Sequence, residues 1–537
     1  MTAEPTATDR QRLIPGEPGA GGYRGLIRID GEQHRVRAEL AGTSPRPGWQ
    51  RSARPLLAIA HLSDTHVMDH QSPGRAELFD RFSDEDSPLR SAVGIIGCYR
   101  AQELFTFQVA DAMVRAIRRA ARAPVSGAPV DFAIVTGDAT DNCQLNELRA
   151  YIDLLDGTMV VPDSGDPQRY EGVAGPEVSD ERYWHPERGP EDLPRTKYGF
   201  PEVPGVLAAV RRPFRAAGLA MPWYAVHGNH DNMLQGTVPA TGWLADLPVG
   251  GIKYVTPPAD LDAAGALYRF DAAGPDALAE LGDSAAIAVT PDPGRVPVTR
   301  SGHVREHFRT SGEPAGHGYS QRNVDEGTAY YAFDHGTVRC VVLDTVNPHG
   351  GWQGSLDATQ LGWLHTELAA CRGRPVILFS HHPIETLVND RRPPGADRRI
   401  LADELRGFLV EQPSVVAWVN GHTHIHAVTA VRQDGAPGGF WQITTASHVD
   451  WPQQGRLIEV LEADGALALC CTVLDTDAPA SYAAPDGPVS MASLARELAA
   501  NDWQVREAIT AESGAGAGTA DDRNVILLVD WPRRPVP

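Results

Sequence analysis

A chain of 537 residues with a formal charge of −21, 42% hydrophobic and 22% charged, has the composition of a folded globular protein with a sizeable core. The acidity disfavours a general polyanion binder, because phosphate-backbone contacts need clustered Lys and Arg. No apolar run reaches membrane-spanning length and residues 1–22 lack a leader-like apolar stretch, so a cytoplasmic protein without a membrane segment is expected.

In chain order, residues 1–22 are rich in Pro, Gly and Thr and read as a flexible N-terminal arm. Residues 23–54 read as a β-hairpin extension, since YRGLIRIDGEQHRVRAEL alternates apolar and polar residues around an Asp-Gly turn. From residue 55 short apolar runs end in polar clusters: LLAIAHLSDTH (56–66), VDFAIVTGDATD (130–141), PWYAVHGNHD (222–231), PVILFSHHP (375–383) and SVVAWVNGHTH (414–424). TVRCVVLDTV (337–346) is a further run without a terminal histidine. Continuous apolar runs of this length suit strands covered on both faces. Helical periodicity lies between them, at 103–122, 146–156, 357–372 and 397–412, and predicts a layered α/β sheet sandwich flanked by helices. A hairpin is expected over 456–475, a helix near 489–499 and a last strand at VILLV. The organisation is therefore a main domain over 55–475, long insertions at about 157–203 and 232–330, and a C-terminal extension over 476–537. The six cysteines are irregularly spaced, two of them adjacent, and form no CxxC, so neither a disulfide framework nor a zinc ribbon is expected.

Five of the strand runs deliver ligand-type side chains at their C-terminal ends: Asp64 and His66; Asp138; Asn229, His230 and Asp231; His381 and His382; His422 and His424. Ligands of open α/β sheets bind outside those ends, so the five clusters can converge on one place. Mixed carboxylate, imidazole and carbonyl oxygen donors suit Mn, Fe, Co or Zn. The set is too large for one tetrahedral ion but fits two ions sharing a bridging carboxylate, an arrangement that clamps a phosphoryl group during displacement.

The ordered motifs D-x-H (64–66), G-D-x-x-D (137–141), G-N-H-D (228–231), H-x-P (381–383) and G-H-x-H (421–424) resemble those of the calcineurin-like metallophosphoesterase superfamily, over roughly residues 55–475. The resemblance implies two transition-metal ions (Mn, Fe or Zn, divalent or mixed-valence): one held by Asp64, His66 and His424, the other by Asn229, His381 and His422, with Asp138 bridging. It implies that a metal-bridging hydroxide attacks a phosphomonoester or phosphodiester. His230 would contact the phosphate and protonate the leaving oxygen, with Asp231 orienting its ring. Asp141 stands where purple acid phosphatases carry a tyrosine ligand, so that subfamily is disfavoured, and Asp141 is expected to hold a ligand from behind. The partner implied is a small phosphorylated substrate, not a nucleic acid. A metal-dependent nuclease and a non-catalytic scaffold of the same fold are the alternatives.

Outside the motifs the expectations are plainer. His303, His307 and His317 are irregularly spaced and read as solvated loop histidines; Arg305, Arg309 and Arg322 read as surface arginines that could clamp an anion. His61 should pack within its strand, and Cys143 should be a buried thiol. His382 and His448 are possible substrate contacts, and His426 matches no motif position.

Overall fold

The computed structural model describes residues 6–531 except 43–45, 47, 76, 85–86, 88–89, 91–98, 188, 190, 241–242, 257–285, 433–437, 464 and 511–513. Two mixed sheets lie face to face. The strands and helices that matter for the site are β1 (Gln11–Pro18), β2 (Arg24–Asp30), β3 (Arg35–Leu40), β4 (Arg54–Leu62), α1 (Thr106–Arg119), β5 (Phe132–Thr136), α2 (Leu145–Asp156), β6 (Trp223–Val226) and α3 (Arg300–Glu306) in the first part of the chain. They continue with β7 (Tyr331–His335), β8 (Val338–Val342), α4 (Ala358–Ala370), β9 (Val376–Phe379), α5 (Ala402–Val410), β10 (Val415–Asn420), β11 (Ala427–Val431) and β12 (Phe440–Thr444). The last are β13 (Gln454–Ala463), β14 (Ala466–Asp475), α6 (Pro488–Ala500) and β15 (Val525–Asp530).

The first sheet has the order β3-β15-β14-β13-β4-β5-β6 and the second β7-β8-β9-β10-β12-β11. Strands β4, β5 and β6 run parallel, as do β8, β9, β10 and β12, so the chain leaves each sheet's motif-bearing strands at a common edge. The apolar runs earn two buried faces through the two-residue period of a strand. Ile377 and Phe379 of β9 join the core between the sheets, together with Ile59, Ile134 and Val419. Val376 and Leu378 point the other way, against Leu364 and Leu368 of α4 and Leu405 and Leu409 of α5. On the opposite side α1 packs Met113 and Val114 into the central core and Val109 and Ala112 against α6. The result is the layered sheet sandwich flanked by helices that the sequence predicts.

Local signals set the helix ends. Glu147 and Gln144 close a capping box at the start of α2, and Gly157 ends it in the left-handed region at φ 81°. Asp357 caps α4 by accepting from the Gln360 amide at 2.7 Å. The expected terminal hairpin is β13–β14, and VILLV becomes β15, inserted between β14 and β3.

The N-terminal reading changes. Residues 11–18 of the expected arm form β1, which pairs with β2. No hairpin forms around Asp30-Gly31: β3 leaves β2 and runs beside β15. Gly31 is held against the Arg10 carbonyl, and Glu32 pairs with Arg523 at 2.6 Å, so the Asp-Gly bend redirects the chain instead of folding it back. Part of the second insertion, 257–285, lies outside the described residues. No helix among the described residues is long and apolar enough to cross a membrane.

Candidate metal centre

The five clusters meet at the carboxyl ends of β4, β5, β6, β9 and β10. Their turns are sharp: Asp64, His66, Asp138, His422 and His424 all have positive φ, between 43° and 68°. Side chains with a Cβ adopt that region rarely, and it is tolerated where surrounding contacts hold it. Here the turns are zipped together, with Asp64 N–H donating to Gly137 O at 3.2 Å and His66 N–H to Asp138 O at 3.0 Å. The β10 turn joins them through Gly421 N–H to His381 O at 3.0 Å and His422 N–H to Asp64 Oδ2 at 3.0 Å. Gly421 is dictated by this crowding, since a Cβ there would stand 1.7 Å from Ser63 Oγ.

The ring nitrogens are assigned by their partners. His66 Nδ1 lies 2.9 Å from Asp141 Oδ1 and His424 Nδ1 lies 2.6 Å from Asp450 Oδ2, so each Nδ1 donates to a carboxylate. Their Nε2 lone pairs then face each other at 3.1 Å, with Asp64 Oδ1 3.4 Å from His424 Nε2. A second knot of acceptors adjoins the first. His381 Nδ1 donates to Thr136 O at 2.8 Å, which leaves its Nε2 lone pair 2.8 Å from Asn229 Oδ1, 3.2 Å from His422 Nδ1 and 3.3 Å from Asp138 Oδ2. Asn229 is turned oxygen-inward because its Nδ2 donates to Gln235 O at 2.9 Å. Asp138 lies between the knots: Oδ1 accepts from His230 N–H at 2.8 Å, and Oδ2 is 3.3 Å from His381 Nε2 and 3.8 Å from His66 Nε2.

Lone pairs at these separations repel unless a positive charge lies among them. The electrostatics state the same demand. Burial lowers the imidazole of His381, but Asp138 outweighs it and pushes the group up to about 9. Burial likewise opposes a charge on His424, yet its contacts with Asp450 and Asp64 push it up to about 10. Asp138 is itself buried and still held well below the usual carboxylate range by the imidazoles of His381, His230 and His66. A donor set of carboxylates, imidazoles and one amide oxygen, with His66, His381, His424 and Asn229 anchored from behind, fits two transition-metal cations.

His230 stands at the open rim, its side chain 16% exposed, with His422 and His424 also reaching the surface. Its Nδ1 contacts Asp141 Oδ1 at 3.1 Å, and Nε2 is 3.9 Å from Asp138 Oδ2. Burial works against its charge, but Asp138 and Asp141 raise it above the ordinary histidine value. The carboxylate that orients this ring is therefore Asp141, and the expectation for Asp231 is corrected. Residues 229–231 form one tight 3-10 turn, in which neighbouring side chains diverge. Asp231 folds back instead, accepting from Gly228 N–H at 2.9 Å and from the Thr140 hydroxyl at 3.0 Å, and burial with Asp138 nearby pushes it up to about 6.

Other expectations divide. Both nitrogens of His382 are used, toward Thr345 Oγ1 at 2.8 Å and Trp352 O at 2.9 Å, so it holds the loop whose Trp352 ring stacks on His422 at 5.9 Å. His61 bridges Thr136 and Thr445 inside the core, and His426 is buried between Gln454 and Arg456, facing away from the centre. Cys143 is buried, which pushes its thiol up; the described cysteines are free, and Cys98 lies outside the described residues. Arg305, Arg309 and Arg322 are on the surface, the last two paired with Glu306 and Glu326. His303, His307 and His317 are buried, against expectation: α3 brings His303 against His227, just past the end of β6, and the segment after it stacks His317 on Trp223 at 3.3 Å. His448 is buried too, its amide donating to Asp64 O at 3.0 Å.

Sequence reasoning missed the outer supports. Arg100 Nε pairs with Asp450 Oδ1 at 2.7 Å, and Arg75 reaches Asp141 Oδ2 at 3.8 Å while pairing with Glu103 and Asp80. Neither arginine lies at a fixed spacing from any motif, so no pattern in the chain marks them.

No family model and no curated protein matches the chain. Among solved structures it is similar to a dimetal phosphatase from Danio rerio, with a TM-score of 0.34 and 12% identity, covering 79% of this chain and 100% of that one. It is also similar to GAP50, described as the anchor in the inner membrane complex of Plasmodium, with a TM-score of 0.23 and 11% identity, covering 79% of this chain and 90% of that one. Likenesses this distant settle no residue's role; the geometry of the chain's own strand ends has to carry that.

Proposed function

We propose that this protein is a metal-dependent phosphoric ester hydrolase with a dinuclear centre. The observation that carries the reading is the pair of adjoining acceptor knots, with Asp138 between them and His230 at their open rim. In this reading Asp64, His66 and His424 hold one cation, Asn229, His381 and His422 hold the other, and Asp138 is shared. Two cations there would polarise a phosphoryl oxygen and lower the pKa of water, and would give an acidic chain a local positive site for phosphate.

The protein's own groups do the rest. His230 Nδ1 is pinned by Asp141, which aims Nε2 at the rim and favours its protonated form, suited to hold a proton for a departing oxygen. Asp141 serves two rings at once, since it also fixes His66. Asp450, steadied by Arg100, keeps His424 in the tautomer whose Nε2 faces the centre. The strands close the centre from below, so substrate approaches past His230, His422 and Trp352. The substrate class is a small phosphomonoester or phosphodiester.

The test is hydrolysis of an aryl phosphate and a bis-aryl phosphate by the full chain with Mn²⁺, Fe²⁺, Zn²⁺ or Co²⁺, beside metal analysis of the same sample. Turnover with two ions at the centre is the expected result. Two bound ions with no turnover on either ester would overturn the hydrolase reading, and cleavage of DNA in preference to both would replace it with the nuclease.

A further inference from the structure

Behind the G-N-H-D turn, on the side away from the rim, lies a second group of ligand-type side chains that the dinuclear centre does not use. His227 directly follows β6, Asp231 closes the turn, and His303 comes from α3 of the second insertion. All three are buried, and one donor atom from each lies within 4.8 Å of the others. His303 Nδ1 is 4.0 Å from Asp231 Oδ1, and the His227 and His303 rings meet edge to face at 4.9 Å.

Their nitrogens are unusual. Both ring nitrogens of His227 and Nε2 of His303 are buried with no hydrogen-bond partner among the described residues. His307 Nε2 and the Tyr319 hydroxyl beside them are in the same condition. Buried polar atoms are nearly always paired, so five in one spot point to a ligand that the protein's own groups do not supply. His307 follows α3 directly, and its ring lies 4.7 Å from that of His303. His307 Nδ1–H donates to His303 O, 2.9 Å away, which leaves its Nε2 as a lone-pair acceptor. Asp231 is anchored in the manner of a ligating carboxylate, by Gly228 N–H and Thr140. Nearby Arg300 is countered by Asp344 at 3.2 Å, and Asp344 is itself 3.9 Å from His227 Nδ1.

We propose that His227, Asp231 and His303 form a third cation site, for a zinc-like divalent ion, that clips the second insertion to the back of the G-N-H-D turn. Two imidazoles and one carboxylate are a common donor set for Zn²⁺, Co²⁺ or Fe²⁺. Because the ligands come from the turn after β6 and from the insertion, binding would stabilise the packing of α3. The site stands whether or not the dinuclear centre hydrolyses phosphate esters.

The experiment strips the full chain with a chelator, reloads it with Zn²⁺ or Co²⁺, and measures ions per chain after gel filtration. Three ions are expected in the wild type and two in His303→Ala, with hydrolysis of the aryl phosphate retained within a few-fold. His381→Ala should lose ions from the dinuclear centre and keep the third. The Co²⁺ form of His303→Ala should also lose one set of visible absorption bands. His303→Gln, with a circular-dichroism spectrum of the metal-free form, separates ligand loss from misfolding. The proposal is overturned if the wild type takes up no more than two ions that both survive in His303→Ala and His303→Gln. A single ion lost in His303→Ala but kept in His381→Ala would support this site and sink the dinuclear reading.

Discussion

The two proposed cation positions of the dinuclear centre share Asp138 but are backed by different chemistry. At the first, both imidazoles donate to carboxylates, His66 to Asp141 and His424 to Asp450, and Asp64 adds a third charge. At the second, His381 donates to a backbone carbonyl, and the oxygen donor is the neutral amide of Asn229. A carboxylate behind a histidine raises its basicity and its affinity as a ligand, whereas a peptide carbonyl mainly fixes its orientation. On that contrast the first position is expected to hold an ion more tightly than the second. Arg75 and Arg100 temper the acidity of the first from outside.

The largest effect should come from the residue the positions share. Asp138→Asn is expected to abolish measurable turnover and empty both positions, whereas Asn229→Ala should leave one ion bound; equal metal content in the two variants would break the comparison. His230→Ala comes next, with kcat lowered about 10²–10⁴-fold and metal content unchanged, as expected of a proton donor that is no ligand. Lost metal in that variant would move His230 into the ligand set.

Asp450→Asn tests the backing itself. It should weaken the first position about 10–100-fold, as loss of a partner behind a ligating histidine does, and leave the second intact. Graded chelation of the wild type should remove the second ion before the first, and Asp450→Asn should narrow or reverse that order. A reading of metal content against chelator concentration decides both.

The smallest effect concerns stability. Burial, with the charge of Asp450 nearby, pushes Asp502 up to about 6 from an ordinary 3.8. Between those values the folded chain holds a proton that the unfolded chain has lost, so this group's contribution falls as pH rises through about 4 to 6 and stays low above it. Asp502→Asn removes the penalty, and its amide can donate to Oε1 of Gln102, which has no partner among the described residues. Thermal melts should show a gain of at most about 3 kcal/mol at pH 8, shrinking to nothing near pH 4. A gain independent of pH would assign the effect to the hydrogen bond alone.

The sandwich was legible because β5, β9 and β10 are continuous apolar runs too short for helices, and the ligand-type residues follow them at once. Asp450 was not legible, since it lies 26 residues beyond His424 and only the packing of the β12–β13 connection brings it there. Asp231 misled because adjacency in sequence is not adjacency of side chains inside one tight turn. His303 misled in the opposite sense: its irregular spacing in a long insertion looked like solvated loop, and only the packing of α3 against His227 buries it.

By itself, then, the sequence determined the strands, their order along the chain and the polar residues at their ends, because hydrophobic period and motif spacing are local properties. Tertiary structure alone decided which carboxylate backs which imidazole, that Asp141 and not Asp231 faces His230, and that His227, Asp231 and His303 meet. Those pairings join residues far apart in the chain, or neighbours whose side chains diverge, and their partners are selected by the packing of whole sheets and turns.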